Sequence, residues 1–144
     1  MVSFVKTKTP YKMKHDNHKK LAGVWIDHSE ALMVTTEDHK NHGEFAVREK
    51  IHASHHATSG GEHRQHNAEQ SELHHYLKAV AEKLKDFDEI LLIGPGKSQE
   101  QLKNLMAADQ HFSNKKISIE SAERLTENQL NAHMKNHFQH LMHN

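Results

Sequence analysis

The chain has 144 residues, enough for one domain, with 35% apolar residues and a mean hydropathy of −0.89, polar for a globular protein. It has no cysteine, which excludes disulfides and cysteine-ligated zinc and fits a reducing compartment. Nineteen basic and 19 acidic residues balance, but 17 histidines with ordinary pKa values near 6.5 add about +4 at pH 7.

Residues 1–19 read as a basic arm. Lys6, Lys8, Lys12, Lys14, Lys19 and Lys20 stand against one acid, Asp16, over the first twenty residues. Pro10 and the polar composition argue against regular structure there. Such a run suits phosphate contacts or simple solvation. It contains no apolar stretch of signal-peptide length, and no run in the chain is long enough to span a membrane, so a cytoplasmic location is expected.

The domain is expected over residues 20–144. "LAGVWID", residues 21–27, is apolar on both faces and predicts a buried strand. "DHSE", 27–30, predicts a turn, and "EALMVTT", 30–36, a second strand. "GEFAVREKI", 43–51, alternates, with Phe45, Val47 and Ile51 on one side and Glu44, Arg48 and Lys50 on the other. It predicts a half-exposed third strand that, at an edge, could pair between subunits. Residues 52–66 read as a loop containing Gly60-Gly61. Asn67 with Gln70 then forms a capping-box pattern, and Leu73, Leu77, Val80 and Leu84 give a helix over 68–86.

"DEILLIG", 88–94, is a continuous apolar run and predicts a central strand. Gly94-Pro95-Gly96 make a sharp exit turn. Ser98 with Gln101 is expected to cap the next helix, with Leu102, Leu105 and Met106 facing inward. "KKISIES", 115–121, predicts a fifth strand. Thr126 with Gln129 caps the last helix, Leu125 and Leu130 are placed as a hydrophobic staple, and Leu130, Met134, Phe138 and Leu141 form its buried stripe. The order β-β-β-α-β-α-β-α, with helical crossovers after strands three and four, predicts an α/β fold: a ribonuclease H-like mixed five-stranded sheet with helices on its faces. A flavodoxin-like sheet is the second option.

A two-metal nuclease on such a fold needs several converging carboxylates. Asp27 could supply one, but the end of strand four reads Gly-Pro-Gly, so Asp27 is expected to be a turn residue. "GPGKS" lacks the spacing of a Walker motif, although a helix start beside Lys97 can bind phosphate. Histidines concentrate in 52–75 and in the last helix. His133 and His137 lie one turn apart, the spacing of a chelating pair, but no carboxylate or cysteine is spaced in sequence to complete a site, and no metal site is expected.

Four stretches together resemble a known domain. These are "LAGVWIDHSEALMV", "SGGEHRQHNAEQSELHHYLKAVAEKL", "DEILLIGPGKSQEQL" and "KKISIESAERLTENQL". They resemble the central domain of the archaeal and eukaryotic class I release factors and Pelota, and are most similar to small bacterial relatives labelled translational machinery proteins. The resemblance covers about residues 20–140. It implies a ribosomal partner, rRNA and also tRNA, with no cofactor and no membrane. In the release factors a GGQ tip helps water attack the peptidyl-tRNA ester. Gly60 and Gly61 match the two glycines, and Glu62 stands in place of the glutamine. A carboxylate accepts hydrogen bonds but cannot donate them, and rRNA phosphates repel it, so no catalytic residue is expected. Pelota-like members also lack the glutamine and act by binding. Gly60, Gly61, Glu62, His63, Arg64, Gln65 and His66 are then the expected RNA contacts, together with the lysines of the arm. At this length the chain has room for this domain without codon-reading or partner-recruiting domains. The reading is a non-catalytic ribosome binder of dormancy, stalling or rescue. A peptidyl-tRNA hydrolase and a His-rich metal binder are the alternatives.

Overall fold

The structure, a computed structural model, describes residues 19–39, 43–54 and 62–142, the side chains of 62–68 excepted. Lys6, Lys8, Lys12, Lys14, Gly60 and Gly61 lie outside the described residues. The elements in chain order are β1 (Leu21–Ile26), β2 (Glu30–Thr35), β3 (Ala46–His52), α1 (Glu62–Leu84), β4 (Glu89–Gly94), α2 (Ser98–Ala107), β5 (Lys116–Ser121) and α3 (Glu127–Phe138). The strands form one sheet in the order β3-β2-β1-β4-β5. The first three pair antiparallel, and β4 pairs parallel with both β1 and β5. This is the expected α/β architecture of a mixed five-stranded sheet between helical layers. The crossover after β3 carries the chain past two strands, so β4 lands beside β1.

Alternate residues of β1 and β4 point to opposite faces, which explains their unbroken apolar runs. On one face Ala22, Val24, Ile26, Ile90 and Leu92 pack under α1 and α2, through Tyr76, Leu77, Val80, Leu84, Leu102 and Met106. On the other, Leu21, Trp25, Leu91 and Ile93 pack under α3, through Leu130, Met134 and Phe138. Fully burying each large aliphatic or aromatic side chain contributes about 1.5–3 kcal/mol, so both faces are needed. At Gly23 α3 approaches the sheet too closely for a side chain. A Cβ there would lie 2.1 Å from Met134 Sδ.

Three local expectations are corrected. First, α1 begins at Glu62, not at residue 68, so Asn67 is interior rather than a cap. No glycine or proline interrupts residues 62–84. Glu, Gln, Arg and Ala favour helix enough to carry one Asn at a cost of about 0.5 kcal/mol. Second, Lys97 is the N-cap of α2, without a side-chain cap bond, and Ser98 is already helical and buried. Here Gln99 governs the turn. Its amide donates to Gly94 O at 2.8 Å and to Glu120 O at 3.3 Å, lacing the ends of β4 and β5 to the helix start. Third, the alternation in β3 does not run through. Val47 pairs with Val34 but Glu49 pairs with Met33, leaving Arg48 as a bulge. Phe45 and Val47 therefore pack on the α3 side and Ile51 on the α1 side. The ion pairs follow the same division: Glu49 reaches Lys83 of α1 and Lys50 reaches Glu127 of α3.

The cap of α3 is as expected. Thr126 Oγ1 accepts from Gln129 N at 3.1 Å, and Gln129 Oε1 accepts from Thr126 N at 3.0 Å. Leu125 joins Leu130 in the same apolar cluster.

Candidate nucleic-acid interface

The C-terminal ends of β1 and β4 define one rim of the sheet. Asp27 sits on it as a turn residue, its Oδ1 accepting from Ser29 N at 2.8 Å and Glu30 N at 2.9 Å. Both bonds commit the carboxylate to the backbone, as the turn pattern predicts. Tyr76 of α1 donates from its hydroxyl to Asp27 O at 3.0 Å. Burial, and then the negative charges of Asp27 and Glu30, hold the Tyr76 hydroxyl well above its ordinary pKa, so it remains a donor.

This contact places α1. Tyr76 is level with the rim, yet the helix starts at Glu62. At 1.5 Å per residue, about 20 Å of helix precede it. Among the α1 side chains described, from Glu69 onward, the first packed on the core is Leu73, while Glu69, Gln70 and Ser71 are exposed. Glu62, His63, Arg64, Gln65 and His66 thus belong to the first two turns of this helix rather than to a loop. Gly60-Gly61 immediately precede it in the chain. From Glu69 to Leu84, α1 carries Glu69, Glu72 and Glu82 against Lys78 and Lys83, so that part is no basic stripe. Arg64 and the histidines around it are the cationic residues of its opening turns. Beside the middle of α1, a cavity of about 390 Å³ is lined by His52, Ser54, Glu72, His75 and Tyr76.

The end of the proposed arm meets the opposite rim. Lys19 Nζ lies 2.9 Å from Glu89 Oε2, and Glu89 is buried. Lys20 N donates to Asp88 Oδ2 at 2.9 Å, and its ammonium lies 5.9 Å from the centre of the Phe87 ring. Lys19 therefore neutralises Glu89, and Lys20 covers the entry to β4 through its backbone and side chain. The six residues of β1 separate them from the rim where Tyr76 binds, about 20 Å at strand rise.

Gly94 and Gly96 also differ. A Cβ on Gly94 would lie 2.2 Å from Ile26 O and 2.7 Å from Gln99 Oε1, so only glycine fits where β4 meets β1. A Cβ on Gly96 meets nothing within 4 Å. Pro95 and Gly96 are exposed, and the tight position of the turn is Gly94. Nearby, the Arg124 guanidinium lies over the Trp25 ring at 4.6 Å and pairs with Glu30, while Trp25 Nε1 donates to Glu123 O.

The helical histidine pair acquires a partner that sequence spacing hides. Glu120 of β5 brings Oε1 to 2.9 Å from His133 Nε2 and Oε2 to 3.8 Å from His137 Nδ1. Burial holds His137 below its usual pKa, partly offset by Glu120. Each ring nitrogen faces a carboxylate oxygen rather than a common vacancy. Among the described residues no group of three or more His, Cys, Asp or Glu side chains is arranged to hold a metal ion. Nor, among them, is any helix long and apolar enough to cross a membrane.

No protein-family profile and no curated protein matches the chain. Solved structures do. Pelota of Archaeoglobus fulgidus aligns with a TM-score of 0.56 at 10% identity, over 93% of this chain and 37% of that one. Pelota of Thermoplasma acidophilum aligns at 0.52 and 13% identity, over 90% and 37%. At these identities the likeness shows a shared fold, in agreement with the resemblance read from the four sequence stretches. This chain spans little more than a third of those Pelota chains.

Proposed function

We propose that the protein associates with ribosomes and binds folded RNA through Gly60-Gly61 and the opening turns of α1, without hydrolysing a substrate. The observation that carries the reading is one conjunction. A Pelota-like fold holds a helix of which about 20 Å precede the sheet rim, and that helix opens directly behind paired glycines with Arg64, His63 and His66 in its first turns. Glycines allow close backbone approach to a ligand, and Arg and protonated His bind phosphate. The position of Glu62 supports the non-catalytic form. As the first residue of α1, it lies where the helix dipole favours an acid.

The test is co-sedimentation with ribosomes at low and high salt. Retention should fall steeply with salt and fall again in Gly60→Pro and Arg64→Ala variants that remain folded. No retention of the wild type at low salt would remove the proposal. Peptide release from loaded ribosomes examines the hydrolase alternative: the wild type should release nothing, and activity sensitive to Glu62→Gln would replace binding by catalysis.

A further inference from the structure

The sheet has two edges that are built differently. At β3, Arg48 bulges out of register, its Nε donates to Thr35 O and its Nη2 to Glu44 O, and Glu49 and Lys50 follow. A bulge and consecutive charges discourage pairing with another strand. The intersubunit pairing expected of β3 is therefore disfavoured. At β5 the register with β4 is regular throughout, and among the described residues no strand lies beyond it.

The hydrogen-bond phase of β5 shows which groups face outward. Lys116 N donates to Asp88 O and, farther along, Ala122 N donates to Gly94 O. In a parallel ladder, residues of that parity turn both backbone groups toward the neighbouring strand. Ile117 and Ile119 consequently turn their N–H and C=O groups to the open edge. The side chains divide the other way. Ile117 and Ile119 pack with the α1–α2 cluster, while Ser118 pairs with Leu91, whose side chain lies on the α3 face, placing Lys116, Ser118 and Glu120 there.

We infer that β5 is a self-pairing edge, its partner a second copy of this chain running antiparallel across a two-fold axis at Ser118. In that register Ile117 of one copy faces Ile119 of the other and exchanges both backbone hydrogen bonds with it. Lys116 faces Glu120 of the second copy, and Ser118 faces itself. Shifting the register by two residues keeps the hydrogen-bond phase but puts Ala122 or Ser118 opposite Lys116, so opposite charge selects the Ser118-centred arrangement. The two sheets become one, and the interface is self-complementary, as a two-fold requires.

The chain has no cysteine, so one introduced thiol reports the axis. Residues directly opposite in a non-hydrogen-bonded antiparallel pair have Cα atoms about 4.5 Å apart, within disulfide reach. Ser118→Cys should oxidise to a covalent dimer. Ser121→Cys, which faces Lys115 in this register, should stay monomeric under the same oxidation. In sedimentation equilibrium of the full chain, Lys116→Glu should weaken dimerisation about tenfold, because two like-charge pairs replace two ion pairs, and Lys116→Glu with Glu120→Lys should restore it. A wild type that stays monomeric at all accessible concentrations overturns the inference. So does equal cross-linking of both cysteine variants, or a double charge reversal no tighter than the single one.

Discussion

The two ends of α1 are parts of one helix with different occupations. From Leu73 to Leu84 it buries Tyr76, Leu77, Val80, Ala81 and Leu84 against the sheet. At the other end the helix opens at Glu62, and the described residues Glu69, Gln70 and Ser71, ahead of Leu73, are exposed. A helix continues through an exposed stretch such as Glu69–Ser71 because each added turn extends hydrogen bonds already nucleated on the packed part. The packed end supplies stability, and the leading end is the part to which the proposed function assigns the partner.

Substitutions should separate the two ends. The largest effect is expected for Leu84→Ala. The side chain is fully buried, and its loss should cost about 2–5 kcal/mol in denaturant unfolding while ribosome retention of the folded fraction persists. Tyr76→Phe marks the boundary. It removes the donor to Asp27 O and should cost about 1–2 kcal/mol by the same measurement. Arg64→Ala should leave the unfolding midpoint within about 0.5 kcal/mol of wild type and lower the salt slope of ribosome binding by about one. A large stability loss from Arg64→Ala would erase the distinction between the two ends.

The smallest effect is expected on the opposite face of the sheet, where His137 is held below its usual value of 6.5 by burial. The unfolded chain then binds the proton more readily, so the contribution is complete above about 6.5 and declines as pH falls through the lower folded value. His137→Asn should flatten this acid-side decline slightly in thermal melts between pH 7.5 and 5. The leading end of α1 should be unaffected.

Much of the body was legible residue by residue. The apolar runs of β1 and β4 named the central strands, and Thr126 with Gln129 named the start of α3, since both signals are local. Asn67 misled because a capping-box pattern says where a helix could begin. Whether it begins earlier depends on the residues before it, here a breaker-free run from Glu62. The alternation in β3 predicts a single face because a bulge has no composition of its own. It appears only when Val47 and Glu49 take consecutive partners on β2. Sequence spacing hides Glu120 as the partner of His133 because 13 residues and a change of element separate them.

The sequence by itself determined the kinds and order of the elements and the apolar face of each helix. Those follow from side-chain periodicity and capping, which act over a few residues. Tertiary structure alone decided that β4 pairs with β1, that β3 ends in a blunted edge and β5 in a regular one, and that Lys19 and the start of α1 belong to opposite rims. These relations join residues far apart in the chain. They are selected by the packing of two apolar faces on one twisted sheet, and no local pattern encodes that choice.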